Sequence, residues 1–338
     1  MGLYRAVGRP LFFALPPEAA HRAAGAVLRL PLPWRAIGGF TDDPVLHVTL
    51  AGIQLRNPVG LAAGFDKSCR FLPALGDLGF GYVVGGSLTR APREGNAKPR
   101  IVRRPAEKAI VNAMGLPNRG AAYAAGRLRR PRRTSPVIVS LAAEEVENVV
   151  AAHAGVEPQA DGIELNVSSP SLAWTSPQER RDHVSRILEA LRPPTQKPLF
   201  VKLPPPADDP AEVLALARAA MDHGADGLTC FNTMPVAEPR LSTGRGGLSG
   251  PPLSERTISG VRDVRSEIGS AVPINACGGI TTAADALACL EAGATTVQLY
   301  TALIYEGPRI VRAITRGLAR TLRERRATAS SPRATADS

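Results

Sequence analysis

A chain of 338 residues can bury a large core. Its 44% hydrophobic and 4% aromatic content describes an Ala/Val/Leu-filled globular protein, not a disordered one. The net charge of +11 is almost wholly arginine, and no nucleic-acid motif or aromatic-rich basic stripe accompanies it. A solvated basic surface therefore comes first, attraction to an anionic membrane surface second, and nucleic acid is not an expected partner.

In chain order, residues 1–39 read as a short separate unit. One helix is predicted over 4–14. A second opens at Pro17-Glu18, with proline and an acid in its first turn, runs to about Leu30 and stops at Pro31-Leu32-Pro33. From residue 57 a β/α beat follows. Eight β-rich runs, 58–62, 81–86, 137–141, 162–167, 199–203, 227–231, 272–276 and 296–300, are separated in many places by helical segments such as 210–223 and 283–292. Eight alternating units over 40–324 predict an α/β fold: a closed (β/α)8 TIM barrel with a short N-terminal helical extension. An open doubly wound sheet would want a Gly-x-Gly-x-x-Gly turn after an early strand, and none stands there. Residues 325–338 are Ala/Ser/Thr/Arg-rich without periodicity and read as a disordered tail.

No apolar run approaches the ~18 residues of a membrane span. The patch Leu11-Phe12-Phe13-Ala14-Leu15 is broken at once by prolines, so a cleaved signal peptide is not expected. Cys69, Cys230, Cys277 and Cys289 lack metal spacing and read as reduced thiols of a cytoplasmic protein.

In such a barrel the C-terminal strand ends carry the site. The first run leads through Ala62-Ala63-Gly64 to Lys67. Small residues there let a flat ring approach the backbone, and the lysine would reach toward that ring. Later ends offer Ser87, Asn112, Asn166-Val167-Ser168-Ser169-Pro170, Lys202 and Asn232-Thr233. Lys202 lies in an apolar run, so its ammonium requires an anionic partner: a buried salt bridge or an electron-rich cofactor ring. Gly246-Gly247-Leu248-Ser249-Gly250, Gly278-Gly279 and Tyr300-Thr301 follow the last three runs. They read as loops whose backbone N–H groups form a phosphate cradle. His21, His47, His153, His183 and His223 lie away from the strand ends and read as surface or helix residues, and no carboxylate cluster suggests a metal site.

Residues 57–67, 95–100, 166–170, 246–250 with Pro252, and 297–303 resemble, in order, the motifs of dihydroorotate dehydrogenases, and the similarity runs over about residues 3–320. Two features resemble class 2, the membrane-associated, quinone-linked branch. Ser169 stands at the position of the catalytic base, where class 1A enzymes carry cysteine. The helix pair containing Pro17-Glu18-Ala19-Ala20-His21 is similar to the class 2 extension, which forms an apolar quinone tunnel and touches the membrane.

The resemblance implies FMN lying over Ala62, Ala63 and Gly64, bound by Ser87, Ser140, Asn166, Lys202, Gly247, Gly278, Gly279, Tyr300 and Thr301. It implies substrate held by Lys67, Asn112, Asn166, Ser171, Asn232 and Thr233, and a quinone path along His21, Arg100 and Tyr300. The implied reaction is oxidation of (S)-dihydroorotate to orotate in pyrimidine biosynthesis. Hydride passes to the flavin, the proton to Ser169 and the electrons to quinone, at the inner face of the cell membrane.

The sequence also departs from the family pattern in the pocket. Ser171 and Ser140 each stand where the family has asparagine, Ala113 replaces an arginine, Pro117 an asparagine, and the loop after Ser171 is about one residue shorter. A serine reaches less far than an asparagine. A divergent paralogue acting on another dihydro-heterocycle with FMN therefore stays open, as does a barrel that binds ligand or membrane without turnover.

Overall fold

A computed structural model describes residues 2–40, 42–129, 133–168, 176–206 and 209–330, without the side chains of 329 and 330. All eight expected runs form strands: Val59–Asp66, Tyr82–Leu88, Val137–Ala142, Gly162–Asn166, Leu199–Lys202, Gly227–Cys230, Ile274–Cys277 and Thr296–Leu299. Each pairs in parallel with the next, and the eighth pairs with the first, closing the barrel. Burial is unbroken along strands such as Tyr82–Leu88 and Val137–Ala142. Helices cover a parallel sheet outside and side chains fill it inside, so the alternation of a half-exposed strand never develops.

The outer helices start where the sequence offers caps. Ser176 accepts from the Glu179 N–H at 3.1 Å to open Pro177–Leu191, Asp209 accepts from the Glu212 N–H at 3.1 Å to open Pro210–Asp222, and Thr282 with Asp285 forms a capping box for Ala283–Glu291. Each buries one stripe. In Pro177–Leu191 it is Val184, Ile187, Leu188 and Leu191, at helical spacing.

Two sheets outside the barrel were not expected from the β/α beat. A hairpin, Val48–Leu50 with Ile53–Leu55, packs Leu50 and Leu55 against Tyr82, Val84, Ile138 and Phe200. At the other end, Met234–Ala237, Arg245–Ser249, Ala109–Asn112 and Ile101–Arg104 form an antiparallel sheet in that order. This corrects the reading of 246–250 as a glycine loop. Residues 245–249 have strand neighbours on both sides, so their backbone groups serve a ladder.

The extension folds as a π turn Tyr4–Gly8 and helices Arg9–Ala14, Pro17–Val27 and Trp34–Gly38. Gly25 lets the longest of these sit directly on the Phe71 ring, which a Cβ would strike. The last helix, Ile310–Ser330, continues past Arg325. Disorder was expected to begin at that point; residues 325–330 contain no helix breaker, and Arg325 pairs with Glu291. Residues 331–338 lie outside the described part.

Candidate active site

One cavity of about 840 Å³ runs from the barrel floor to the N-terminal helices. Its floor is polar. Ala62, Ala63 and Gly64 lie in the C-terminal half of the first strand, and Ser87, Asn166, Lys202, Cys277 and Gln298 join them from the second, fourth, fifth, seventh and eighth. Its walls bring together Lys67, Asn112, Asn232, Thr233, Gly247, Gly278, Gly279, Tyr300 and Thr301. Its mouth is apolar, formed by Phe12, Phe13, Ala20, Ala24, Val27 and Leu28 from the extension and by Phe65, Leu75 and Leu78 from the barrel.

A row of short polar side chains crosses the floor. Ser140 and Ser87 hydroxyls pair at 2.9 Å, Asn166 Nδ2 donates to Ser87 Oγ at 2.9 Å, and Ser168 Oγ donates to Asn166 Oδ1 at 3.0 Å. Asn232 Nδ2 then donates to Ser168 Oγ at 2.8 Å, while Asn232 Oδ1 accepts from the Thr233 N–H at 2.8 Å. Four strand ends are thereby held in fixed orientation. Ser140 is fully buried and reaches the cavity only through Ser87, so it supports the wall rather than forming it. Ser169 and Ser171 lie outside the described residues.

The two cavity lysines differ. Lys67 Nζ donates to the Gly64 carbonyl at 2.6 Å, and burial lowers the Lys67 pKa to about 8, with Arg100 adding to the effect and Asp66 and Glu18 opposing it. Among the described residues Lys202 finds no carboxylate within contact, and it touches Cys277 Sγ at 3.8 Å. Burial pulls its pKa down, and the Glu164 carboxylate pulls it up through space. Burial raises the Cys277 thiol despite the nearby ammonium, so it is a neutral neighbour. Gln298, 2% exposed, has neither its amide nitrogen nor its oxygen paired.

At the mouth, His21 stacks edge-on against Phe65 at 5.6 Å, and Phe65 meets Tyr300 at 5.9 Å, so an aromatic file leads inward. Burial first, then Lys67 and Arg22, push the His21 pKa down to about 3, leaving a neutral imidazole. Arg100 stays off the cavity wall. Its guanidinium grips Glu18 through two hydrogen bonds of 3.1 Å and bonds the Glu94 and Asn96 carbonyls. Arg103, not singled out from the sequence, donates to the Phe12, Phe13 and Leu15 carbonyls at the end of Arg9–Ala14 and lies 4.5 Å from the Phe13 ring centre. Cys277 and Gln298 were also missed. A lone polar residue inside an apolar strand was the available signal, the same one that marked Lys202.

The family model for dihydroorotate dehydrogenase matches residues 45–322. Among curated proteins, the dihydroorotate dehydrogenase (quinone) of Erythrobacter litoralis is 39% identical over 329 residues, covering 94% of each chain. That of Leifsonia xyli is 37% identical, covering 94% of this chain and 98% of its own. A crystal structure of the Eimeria tenella enzyme in complex with ferulenol superposes with a TM-score of 0.80 at 29% identity, covering 92% of this chain and 93% of that one. The chain therefore belongs to the dihydroorotate dehydrogenase family.

Proposed function

We propose that this chain oxidises (S)-dihydroorotate to orotate, with FMN as its resident cofactor and a quinone as the final electron acceptor. The observation that carries the reading is the single cavity joining a floor of lysines and amides to an apolar mouth. The floor fits a flavin. Ala62, Ala63 and Gly64 leave room for a flat ring, while Lys202 and the unpaired Gln298 amide face the same space. Gly279, in left-handed backbone at φ +74°, admits no side chain, because a Cβ there would strike the Ser254 backbone nitrogen. Close backbone of this kind beyond the seventh and eighth strands suits a phosphate.

Ser87, Asn166, Lys202, Gln298, Gly247, Gly278, Gly279, Tyr300 and Thr301 would hold the cofactor, with Ser140 bracing Ser87. When bound, the flavin supplies a two-electron hydride acceptor. Lys67 offers the substrate carboxylate a cation. Asn112, Asn166, Asn232 and Thr233 offer donors and acceptors to the ring amides, and those donors stabilise negative charge that develops on the ring as its proton leaves. Ser169 takes that proton and, being a weak base alone, hands it on through water. His21 and Tyr300 line the quinone's approach, and Arg100 acts indirectly by fixing Glu18.

The extension also makes the chain a membrane-surface protein at the inner face of the cell membrane. Its outward Leu3, Leu11 and Leu30 stand among Arg5, Arg9 and Arg29, the composition of an interfacial helix unit. Among the described residues no helix is long and apolar enough to cross a membrane. The test is anaerobic bleaching of the flavin. Dihydroorotate should bleach the parent rapidly, and Ser169→Ala should slow bleaching by roughly 100-fold or more with flavin retained. A yellow protein that dihydroorotate leaves unbleached would refute the substrate.

A further inference from the structure

The interior of a barrel like this is normally filled by layers of branched apolar side chains, each layer drawn from alternate strands. Beneath the site described above, the even-numbered strands instead contribute Tyr82, Glu164, Thr229 and Thr296, all 0–1% exposed, and Asn275 of the seventh strand joins them. Their hydrogen bonds run in one direction. Thr296 Oγ1 donates to Asn275 Oδ1 at 2.6 Å, which leaves the Tyr82 hydroxyl, 2.8 Å away, to donate to Thr296. Asn275 Nδ2 donates to Thr229 Oγ1 at 3.3 Å, and Thr229 Oγ1 donates to Glu164 Oε2 at 2.9 Å. Every donor points toward the carboxylate, and successive bonds in such a chain polarise one another.

The layer above explains the direction. Lys202 is 5% exposed, stands beside Asn166 and Thr229 in the strand register, and touches only the neutral Cys277 thiol. A buried ammonium with no anion is costly. Glu164 lies two residues before Asn166 on the same strand and so faces the same interior, and it acts on Lys202 through space. Its second oxygen, Oε1, has no partner.

We propose that Glu164 is the buried counter-ion of Lys202 and thereby a positioning residue that sets the reduction potential of the flavin. This rests on the flavin reading given above. Uptake of a hydride adds two electrons and one proton to a neutral ring, so the reduced ring carries one negative charge. Lys202 stabilises that charge and Glu164 opposes it. The carboxylate therefore holds the potential down and favours passage of electrons onward to the acceptor.

The experiment is a redox titration of the purified holoprotein against a reference dye, for the parent, Glu164→Gln and Thr229→Val. Glutamine keeps the acceptor for Thr229 and removes the charge. The reduced form should become at least tenfold more favoured, an upward shift of about 30 mV for a two-electron couple. Thr229→Val, nearly isosteric, removes the donor to the carboxylate and the acceptor for Asn275; a carboxyl group without its donor favours the neutral acid, so the potential should shift the same way by less. It also serves as the readout should the glutamine variant not accumulate. A purely structural role for Glu164 would change thermal stability and leave the potential where it was. A flavoprotein whose potential is unmoved or lower in the folded variants overturns the counter-ion assignment alone. A protein that contains no flavin and takes up none overturns the cofactor reading instead.

Discussion

The barrel and the N-terminal extension dispose of apolar surface in opposite ways. All the largest fully buried side chains, among them Tyr82, Phe80, Phe200 and Leu61, belong to the barrel and the hairpin beneath it. Among the described residues, every large exposed hydrophobic side chain lies between Leu3 and Leu32, with Leu3 81% and Leu11 67% exposed. Besides apolar packing such as Phe13 on Tyr305, the extension is fastened by polar links: Arg100 to Glu18, Arg103 to the helix-end carbonyls, the Tyr4 hydroxyl to the Ile304 carbonyl at 2.6 Å, and Arg5 to Glu306. Its other apolar residues wall the cavity mouth or face outward. The barrel end of the cavity should therefore govern the substrate half-reaction, and the extension end the acceptor half-reaction.

The largest effect should come from the barrel end. Lys67→Met removes the cation offered to the substrate carboxylate, and a charged hydrogen bond is worth roughly 1.5–3 kcal/mol. The KM for dihydroorotate should rise by about 100-fold while the KM for quinone stays put. The parent should also show a pH limb. Below about 8 Lys67 is charged, and above it the lysine loses its proton, so affinity for the carboxylate should fall as pH rises. The limb should vanish in the variant. Steady-state kinetics across pH 6.5–9 for both substrates would check this, and a change in both KM values would break the division between the two ends.

A middle-sized effect should come from the fastening. Arg103→Gln strips the extension of three carbonyl contacts and a ring contact. Quinone KM should rise about tenfold, the equivalent of roughly 1.4 kcal/mol, with anaerobic flavin reduction unchanged. Equal losses in both half-reactions would show that the extension supports the barrel site as well.

The same contrast decides how much could be read in advance. The eight barrel strands were legible because each is a short apolar run bounded by turns, and the resemblance placed Lys67, Asn112, Asn166, Asn232 and Thr233 around one space, where the structure has them. The antiparallel cap was not legible. Gly246 and Gly247 look like a turn, and only the presence of strands on both sides makes them a ladder. Arg100 was read as a wall of the quinone path, but local sequence carries no sign that Glu18, 82 residues earlier, holds its guanidinium. The row from Ser140 to Asn232 depends on side chains from four strand ends meeting, which no spacing along one strand encodes.

The smallest effect, and the sharpest test of the mouth, concerns His21. Its ring packs on Phe65 inside the cavity, and burial pushes its pKa from 6.5 down to about 3. When the helix Pro17–Val27 lifts away, the imidazole returns to water and to its ordinary value. Between those two values the open state binds a proton that the docked state refuses. Docking is therefore unaffected above pH 6.5 and weakens as pH falls, by at most about 1.4 kcal/mol per pH unit, until the penalty levels off near the docked pKa. Relative to pH 7, the cost at pH 6 is roughly 0.7 kcal/mol, about a threefold gain in opening. Hydrogen exchange of residues 17–27, compared at pH 7 and pH 6 after correction for intrinsic rates, should show that gain in the parent. His21→Phe keeps a ring for Phe65 and has nothing to protonate, so its exchange should be flat over the same interval. If parent and variant lose protection equally, the acid sensitivity does not arise from His21.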